Sequence, residues 1–211
     1  MGARVALVGA RGYTGREVLG LLAAHEGVEI ALVTSAKDAG QKVWPEDAPS
    51  PALSELRFEA PSPEEAAARG CDAYLLALPN GTSAPWVEAI TAARPEAVLV
   101  DLSADHRFDD GWVYGQPERL RDRIRGAKRI ANPGCYATAM QLALAPLVSL
   151  LAPGCPPSVF GVSGYSGAGT TPSPKNDPEV LRDNLLPYSL VGHVHEREVT
   201  RQLGLGKESR R

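Results

Sequence analysis

One cysteine of this sequence stands where a thiol could act as a nucleophile. Cys135 directly follows Pro133-Gly134 and precedes an apolar run, residues 137–151, that predicts a buried helix. The unpaired amides and the positive dipole end at a helix N-terminus favour the thiolate, which is the nucleophilic form of cysteine. An unpaired cysteine is also often a small buried hydrophobic residue. Position alone therefore leaves two interpretations of Cys135, a nucleophile and a core residue.

A pair of histidines could exchange protons with a reacting group. His193 and His195 lie in the alternating segment V-G-H-V-H-E-R-E-V, residues 191–199. If this segment is extended, both rings share one face, and if a helix starts at Glu196, Glu198 turns toward them. Histidine exchanges protons near neutral pH, which suits acid–base catalysis. Two histidines without a third ligand at a suitable spacing predict no metal site.

A glycine-rich turn near the start of the chain predicts a dinucleotide site. An apolar strand at 4–8 leads into G-A-R-G-Y-T-G, and helical spacing follows over residues 16–25. In a βαβ unit such glycines let the backbone approach a pyrophosphate, which rests on the helix N-terminus. A structural turn without a ligand is the competing interpretation. The cofactor-binding residues predicted here are Gly9, Arg11, Gly12, Tyr13, Thr14 and Gly15.

The end of the second predicted strand, at 29–33, favours NADP over NAD. NAD-binding proteins usually have an acidic residue there, which holds the ribose 2′-hydroxyl. This chain has Thr34, Ser35 and Lys37, which suit a 2′-phosphate, and Asp38 comes too late to be that acid. We therefore predict NADP(H) as the cofactor, with Ser35 and Lys37 in its site.

Polar loops follow two later predicted strands. The strand predicted at 72–78 leads to Asn80 and Gly81, which are candidate cofactor contacts because such loops line the ligand crevice of open α/β sheets. A turn without a ligand is the competing interpretation of these two residues. Asp105 and Arg107 follow the next strand and could fix a substrate or brace the crevice, and we favour bracing.

A further strand is predicted at 158–163, and a loop rich in serine and glycine follows it. Successive amides in such a loop form a nest for an anion, here a phosphate of the substrate or of the cofactor. We predict cofactor contacts by Ser163 and Gly164 and substrate contacts by Ser166 and Gly167.

The composition is that of an ordinary soluble globular protein. The 211 residues carry a net charge of -3, and 44% are hydrophobic, so we expect no nucleic-acid partner. No apolar run approaches the roughly 20 residues that span a bilayer, so we expect no membrane partner. The first predicted strand begins at Arg4, which predicts no signal peptide. Three widely spaced cysteines predict no disulfide framework and a cytoplasmic location.

Five motifs of the chain are together similar to one enzyme family. In chain order they are G-A-R-G-Y-T-G at 9–15, D-L-S-A-D at 101–105, A-N-P-G-C-Y-A-T at 131–138, G-V-S-G-Y-S-G-A-G-T at 161–170 and H-V-H-E-R-E at 193–198. They extend over nearly the whole chain, and their combination is highly specific. The sequence resembles the N-acetyl-γ-glutamyl-phosphate reductases of arginine biosynthesis, which are related to aspartate-semialdehyde dehydrogenase.

The resemblance implies an α/β protein with two domains. Residues 1–133 would form a Rossmann-type NADP-binding domain with a mostly parallel sheet, and residues 134–211 an incomplete α+β substrate and dimerisation domain. The substrate would be a small molecule, N-acetylglutamyl phosphate, which NADPH reduces to the semialdehyde with release of phosphate. Cys135 would be the nucleophile, His193 or His195 the acid–base group, and Asn132 and Glu198 substrate contacts. The full-length family is expected to form homo-oligomers, either dimers or tetramers.

The chain departs from the family pattern at two places. Many relatives have an aromatic residue where this chain has His106, which we interpret as peripheral. The family's second domain continues past the H-x-H motif, whereas this chain ends at Arg211, so we expect a C-terminal truncation. Two alternatives stay open: a reductase of aspartyl or aminoadipyl phosphate, and an inactive NADP-binding remnant.

Overall fold

The chain divides into two units, which are described separately. The computed structural model describes residues 2–44, 48, 50–152 and 154–205. One unit comprises Met1–Gly115 and Asp122–Asn132, and the other comprises Gln116–Arg121 and Pro133–Arg211. The domain boundary between residues 133 and 134 stays a prediction, and the polar tail at 206–211 lies outside the described residues.

The first unit is built on a parallel sheet. Its strands are β1 (Ala3–Val8), β2 (Val28–Val33), β3 (Ala73–Leu76), β4 (Val98–Asp101), β5 (Val113–Tyr114) and β6 (Arg129–Ala131). The strand order is β2-β1-β3-β4-β6-β5, and all the described ladders between these strands are parallel. The predicted α/β class and its mostly parallel sheet are confirmed.

Both faces of this sheet are covered by apolar side chains. In β1, Ala6 and Val8 belong to one hydrophobic cluster, and Leu7 between them belongs to another. Parallel strands that are buried on both faces have continuous apolar runs, which is why the sequence of β1 does not alternate. The chain leaves β1 toward β2 on one side and returns to β3 on the other. This reversal marks a switch point at the carboxyl ends of β1 and β3, where open α/β sheets bind ligands.

Local sequence signals account for several helix boundaries. In the first unit Ser62 and Glu65 form a reciprocal capping box, in which each side chain accepts a hydrogen bond from the other residue's backbone amide. In the second unit the last long helix ends at Gly204, which has a left-handed φ of 68°. The helices are α1 (Tyr13–Ala23), α2 (Pro51–Ser54), α3 (Pro63–Ala68), α4 (Ala84–Ala93), α5 (Pro117–Ile124), α6 (Cys135–Leu144), α7 (Pro178–Leu181) and α8 (Val194–Leu203). Within the described ranges, every helix falls short of the length and apolar character that crossing a bilayer requires.

The second unit differs from the sequence prediction in two elements. The predicted helix at 137–151 begins earlier, at Cys135, and gives way to a 3₁₀ helix at Ala145–Leu150, whose second residue is Pro146. Proline lacks the amide that would continue an α-helix. The predicted strand at 158–163 is wrong for the described residues, because no ladder pairs with it there, and Phe160 is 87% exposed. An extended segment becomes a strand only when its amides and carbonyls find a partner.

Candidate active site

Two glycines of the turn after β1 are required by close backbone contacts. Gly9 has φ +80°, and a Cβ there would lie 2.7 Å from the carbonyl oxygen of Ala77. A Cβ on Gly15 would lie 2.4 Å from the carbonyl oxygen of Ala10, so this glycine lets α1 pack against the turn. These are the roles of the tight-turn and close-packing glycines of a dinucleotide-binding loop. The turn therefore suits a pyrophosphate at the N-terminus of α1, as the sequence predicts.

Hydrogen bonds attach this turn to the end of β2. The amide of Gly9 donates to Oγ1 of Thr34 at 3.0 Å, and the amide of Ala10 donates to the Thr34 carbonyl at 2.9 Å. Thr34 is buried, so its hydroxyl serves the turn itself. The glycine turn and the segment after β2 are thus positioned as one piece.

The segment after β2 brings charges next to the glycine turn. Nε of Arg11 lies 3.2 Å from Oδ2 of Asp38, which also accepts a hydrogen bond from Oγ of Ser35 at 3.0 Å. Ser35 is buried, whereas Lys37 is exposed. The predicted contacts of Ser35 and Lys37 with a 2′-phosphate stay predictions. Sequence reasoning set Asp38 aside and missed its pairing with Arg11, because the two residues lie in different loops.

The loop after β3 is held by the loop after β4. The carboxylate of Asp105 accepts hydrogen bonds from the amide of Gly81 at 2.6 Å and from Oγ of Ser83 at 2.7 Å. Oδ1 of Asn80 accepts a hydrogen bond from the backbone amide of Ala104 at 3.0 Å. Burial opposes ionisation of Asp105, but the hydrogen bonds from Gly81 and Ser83 outweigh it, so the pKa of Asp105 is lowered. The predicted bracing role of Asp105 is confirmed, and the cofactor contacts of Asn80 and Gly81 stay predictions.

His106 belongs to the same network and is not peripheral, contrary to the sequence interpretation. Its ring stacks on Trp112 with centroids 4.0 Å apart, and its Nε2 lies 3.2 Å from Oγ of Ser83. The imidazole is planar and keeps the stacking surface of an aromatic residue while adding a polar contact. Arg107 braces this region too, because its Nε donates to the carbonyl of Asn132 at 2.9 Å. The backbone amide of Asn132, a predicted substrate contact, donates a hydrogen bond to the Asp101 carbonyl at 2.8 Å.

In the second unit, Cys135 is the first residue of α6 and is exposed. Gly134 is the N-cap residue, with extended backbone angles of φ -68° and ψ 152°. The core interpretation of Cys135 is therefore wrong. Cys71 provides a contrast, because it is 0% exposed and burial raises the pKa of its thiol. A thiol at the start of a helix and open to solvent can reach a substrate carbonyl.

Glu198 connects the cysteine loop to the histidines. It is 1% exposed, and its Oε2 accepts the amide of Gly134 at 3.1 Å. Its Oε1 lies 4.0 Å from Nε2 of His195. Of the two conformations considered for this segment, the helical one is correct, although α8 begins at Val194 and not at Glu196. The helix turns Glu198 toward His195 and toward Gly134, the residue before Cys135.

His193 caps α8 with its side chain. Its Nδ1 accepts a hydrogen bond from the backbone amide of His195 at 3.0 Å, and the ring centroids of His193 and His195 are 4.5 Å apart. An accepting Nδ1 places the proton of the neutral ring on Nε2. The Nε2 nitrogen of His193 is therefore a donor in the neutral ring.

Two tyrosines, which sequence reasoning missed, complete this group. Tyr188 lies edge-on to His193 with ring centroids 5.7 Å apart, and Tyr136 lies 6.3 Å from Tyr188 and 6.1 Å from His195. Burial, hydrogen bonding to Tyr136 and the nearby Cys135 raise the pKa of Tyr188 to about 12. Tyr188 therefore stays a neutral phenol near neutral pH. Cys135, Tyr136, Tyr188, His193, His195 and Glu198 are called the cysteine cluster below.

The loop rich in serine and glycine uses some of its own amides. A 3₁₀ helix spans Tyr165–Ala168, and the amide of Gly167 donates to the carbonyl of Gly164 at 3.1 Å. Oγ of Ser163 also donates to Gly164, at 3.3 Å. The anion nest predicted at Ser163, Gly164, Ser166 and Gly167 stays a prediction, and the Gly167 amide and the Ser163 hydroxyl already donate within the loop.

Comparison with known families identifies the class of protein. The family described as Semialdehyde dehydrogenase, NAD binding domain, matches residues 4–127. The family described as Semialdehyde dehydrogenase, dimerisation domain, matches residues 135–211. The chain belongs to the semialdehyde dehydrogenase family.

The chain is similar to curated proteins named N-acetyl-gamma-glutamyl-phosphate reductase. It is 56% identical to the one from Stenotrophomonas maltophilia over 202 residues, which cover 96% of this chain and 62% of that protein. It is 55% identical to the one from Xylella fastidiosa strain M23 over 203 residues, which cover 96% of this chain and 61% of that protein. The chain thus spans about three fifths of the length of these relatives.

Solved structures show the same fold at low sequence identity. Aspartate semialdehyde dehydrogenase with NADP from Candida albicans matches with a TM-score of 0.61 and 18% identity, covering 89% of this chain and 56% of that chain. Aspartate semialdehyde dehydrogenase II from Vibrio cholerae matches with a TM-score of 0.56 and 22% identity, covering 71% of this chain and 47% of that chain.

Proposed function

We propose that this protein reduces N-acetyl-L-glutamyl 5-phosphate to N-acetyl-L-glutamate 5-semialdehyde with NADPH, in arginine biosynthesis. The observation that carries the proposal is the cysteine cluster. An exposed thiol starts a helix there, the residue before it donates to the buried Glu198, and the ring of the residue after it lies 6.1 Å from that of His195. The names of the curated relatives support the choice of substrate.

The cluster has the groups that acyl-phosphate reduction needs. The thiolate of Cys135 attacks the carbonyl carbon and the bond to the phosphate oxygen breaks. Phosphate departs, and the acyl group remains on the sulfur as a thioester. Covalent catalysis of this kind divides one difficult reduction into two easier steps. Addition of hydride gives a thiohemiacetal oxyanion, which expels the Cys135 thiolate to release the aldehyde. The imidazole of His193 or of His195 exchanges the proton of that oxygen.

The first unit suits a dinucleotide. Gly9 and Gly15 have no Cβ at positions where one would clash with neighbouring backbone, and α1 begins directly after the turn. Arg11 and Lys37 would supply positive charge for a 2′-phosphate, and Ser35 holds Asp38 against Arg11. When bound, NADPH supplies the hydride.

The reverse reaction tests the substrate. With NADP and phosphate, we expect N-acetylglutamate semialdehyde to be oxidised with a kcat/KM at least tenfold above those of aspartate and aminoadipate semialdehydes, roughly 1.4 kcal/mol of discrimination. The measurement is NADPH formation at 340 nm. A preference for another semialdehyde would assign the chain to that acyl phosphate. NADPH binding without turnover of any of the three would favour the inactive remnant.

Lys37→Glu is expected to weaken NADPH binding about tenfold or more while leaving NADH binding nearly unchanged, because the new carboxylate repels only the 2′-phosphate. Fluorescence titration with both cofactors measures the two affinities. Lys128→Glu is the matched control, because Lys128 is exposed and lies at the amino end of β6, away from the strand ends that form the crevice. Equal losses for NADPH and NADH would contradict the assignment of NADP.

Location and assembly belong to the same proposal. We place the protein in the cytoplasm, which suits its three free cysteines. We also propose that the complete protein forms homo-oligomers, which the match of residues 135–211 to a dimerisation domain supports.

A further inference from the structure

A lysine lies beside the cysteine cluster, on the face of one of its rings. Nζ of Lys175 is 5.2 Å from the centroid of the Tyr188 ring, within the range of a cation–π contact. Tyr188 in turn contacts His193 and Tyr136, and the latter directly follows Cys135. All these residues belong to the second unit. The contacts therefore attach a positive charge to the cysteine cluster through the ring of Tyr188.

The loop that carries Lys175 is held by its neighbour Asn176. Nδ2 of Asn176 donates to the carbonyls of Gly169 and Thr171, both at 2.8 Å, and its Oδ1 accepts the amide of Ser173 at 2.8 Å. The side-chain amide of Asn176 thus fastens the segment before Lys175 to the end of the serine- and glycine-rich loop. A side chain presented by a braced loop loses less entropy when it binds a ligand.

The charge of Lys175 is not balanced by a carboxylate among the residues that the structure describes. Two other cations of the second unit have partners elsewhere. Arg182 pairs with Glu179, and Arg119 donates to Oε1 of Gln141 and to the carbonyl of Gln202. An ammonium on an aromatic face with no counter-ion is suited to an anionic ligand, and lysine binds phosphates and carboxylates as a point charge.

We propose that Lys175 holds an anionic group of the substrate while the substrate carbonyl lies at Cys135. The group is either the phosphoryl group of the acyl phosphate or the carboxylate at the other end of the molecule. A thiolate that attacks an acyl phosphate approaches a dianion, and a nearby ammonium offsets this repulsion. The identity of the substrate rests on the proposed function, whereas an anion site at Lys175 does not depend on turnover.

Protection of Cys135 from alkylation tests the proposal without requiring catalysis. The chain is treated with iodoacetamide at near-neutral pH and constant ionic strength, with inorganic phosphate or N-acetylglutamate added, and labelling is followed by peptide mass spectrometry. We expect at least one anion to slow labelling of Cys135 about fivefold or more, and Lys175→Met to abolish most of that protection. Lys175→Arg should restore it, because it keeps the positive charge. Protection by phosphate alone assigns the phosphoryl group, and protection by N-acetylglutamate alone assigns the carboxylate.

Two controls keep the result specific. Arg182→Met removes an exposed cation that already pairs with Glu179, and it should leave the protection unchanged. Cys155, which is also exposed, should be labelled at the same rate with and without the anions. Equal protection in wild type and Lys175→Met, or no protection of wild-type Cys135 by either anion, would overturn the proposal. Absence of turnover with intact, Lys175-dependent protection would instead count against the proposed function alone.

Discussion

Cys135→Ser is expected to lower kcat in both directions by roughly a thousandfold or more, because a serine hydroxyl is a far weaker nucleophile than a thiolate at neutral pH. The change replaces a sulfur by an oxygen on an exposed side chain at the first residue of a helix, so no core packing is lost. The fold should therefore be kept, and NADPH affinity with it. The measurements are NADPH formation in the reverse reaction and the mass of an acyl-enzyme trapped with substrate.

The control for this substitution is Cys155→Ser. Cys155 is exposed and unpaired like Cys135, but no contact places it in the cysteine cluster among the described residues. Activity and labelling of Cys135 should both survive its replacement. If Cys135→Ser kept more than about a tenth of the activity, which is a barrier change of only about 1.4 kcal/mol, the nucleophile would have to be another group.

Glu198→Ala is expected to have the second-largest effect, on both stability and catalysis. It leaves the buried amide of Gly134 without this acceptor, which costs about 1–3 kcal/mol of unfolding free energy. It also releases the residue before Cys135, and a misplacement of about 1 Å at a reacting group can lower kcat around a hundredfold. Urea denaturation and steady-state kinetics measure the two effects.

Two further substitutions separate these contributions. Glu198→Gln keeps an oxygen that can accept the Gly134 amide, so it should retain more stability than the alanine variant. Glu196→Ala is the matched control, because Glu196 is exposed and lies on the same helix two residues earlier. If Glu198→Ala and Glu196→Ala behaved alike in stability and in kcat, the positioning role of Glu198 would be refuted.

Local signals in the sequence were sufficient for most of the first unit. A continuous apolar run predicted β1, and the glycines after it predicted a turn and a helix, because backbone clearance at Gly9 and Gly15 is a local requirement. The helix after Cys135 was also predicted from its apolar run. The predicted end of this helix, residue 151, lies beyond the observed end at Leu144, and Pro146 was the signal that could have indicated the earlier end.

Local sequence signals could not predict contacts between residues that are far apart in the chain. Residues 158–163 have the composition of a strand, yet pairing depends on a partner that lies elsewhere in the sequence. The pairing of Arg11 with Asp38 and the contact of His106 with Ser83 join separate loops. Tyr188 is 53 residues from Cys135 and Lys175 is 40 residues from it, so only folding brings Tyr188 near Cys135 and Lys175 onto the Tyr188 ring.

Local periodicity and motifs were enough to predict the parallel α/β unit, the glycine turn, the family and the residue types available for chemistry. Three features required the folded chain: the exposure of Cys135, the hydrogen bond from the Gly134 amide to Glu198, and the packing of two tyrosine rings near the histidines with Lys175 on one of those rings. The physical reason is that burial and contacts depend on where distant segments pack, and no local pattern of residue types specifies that packing.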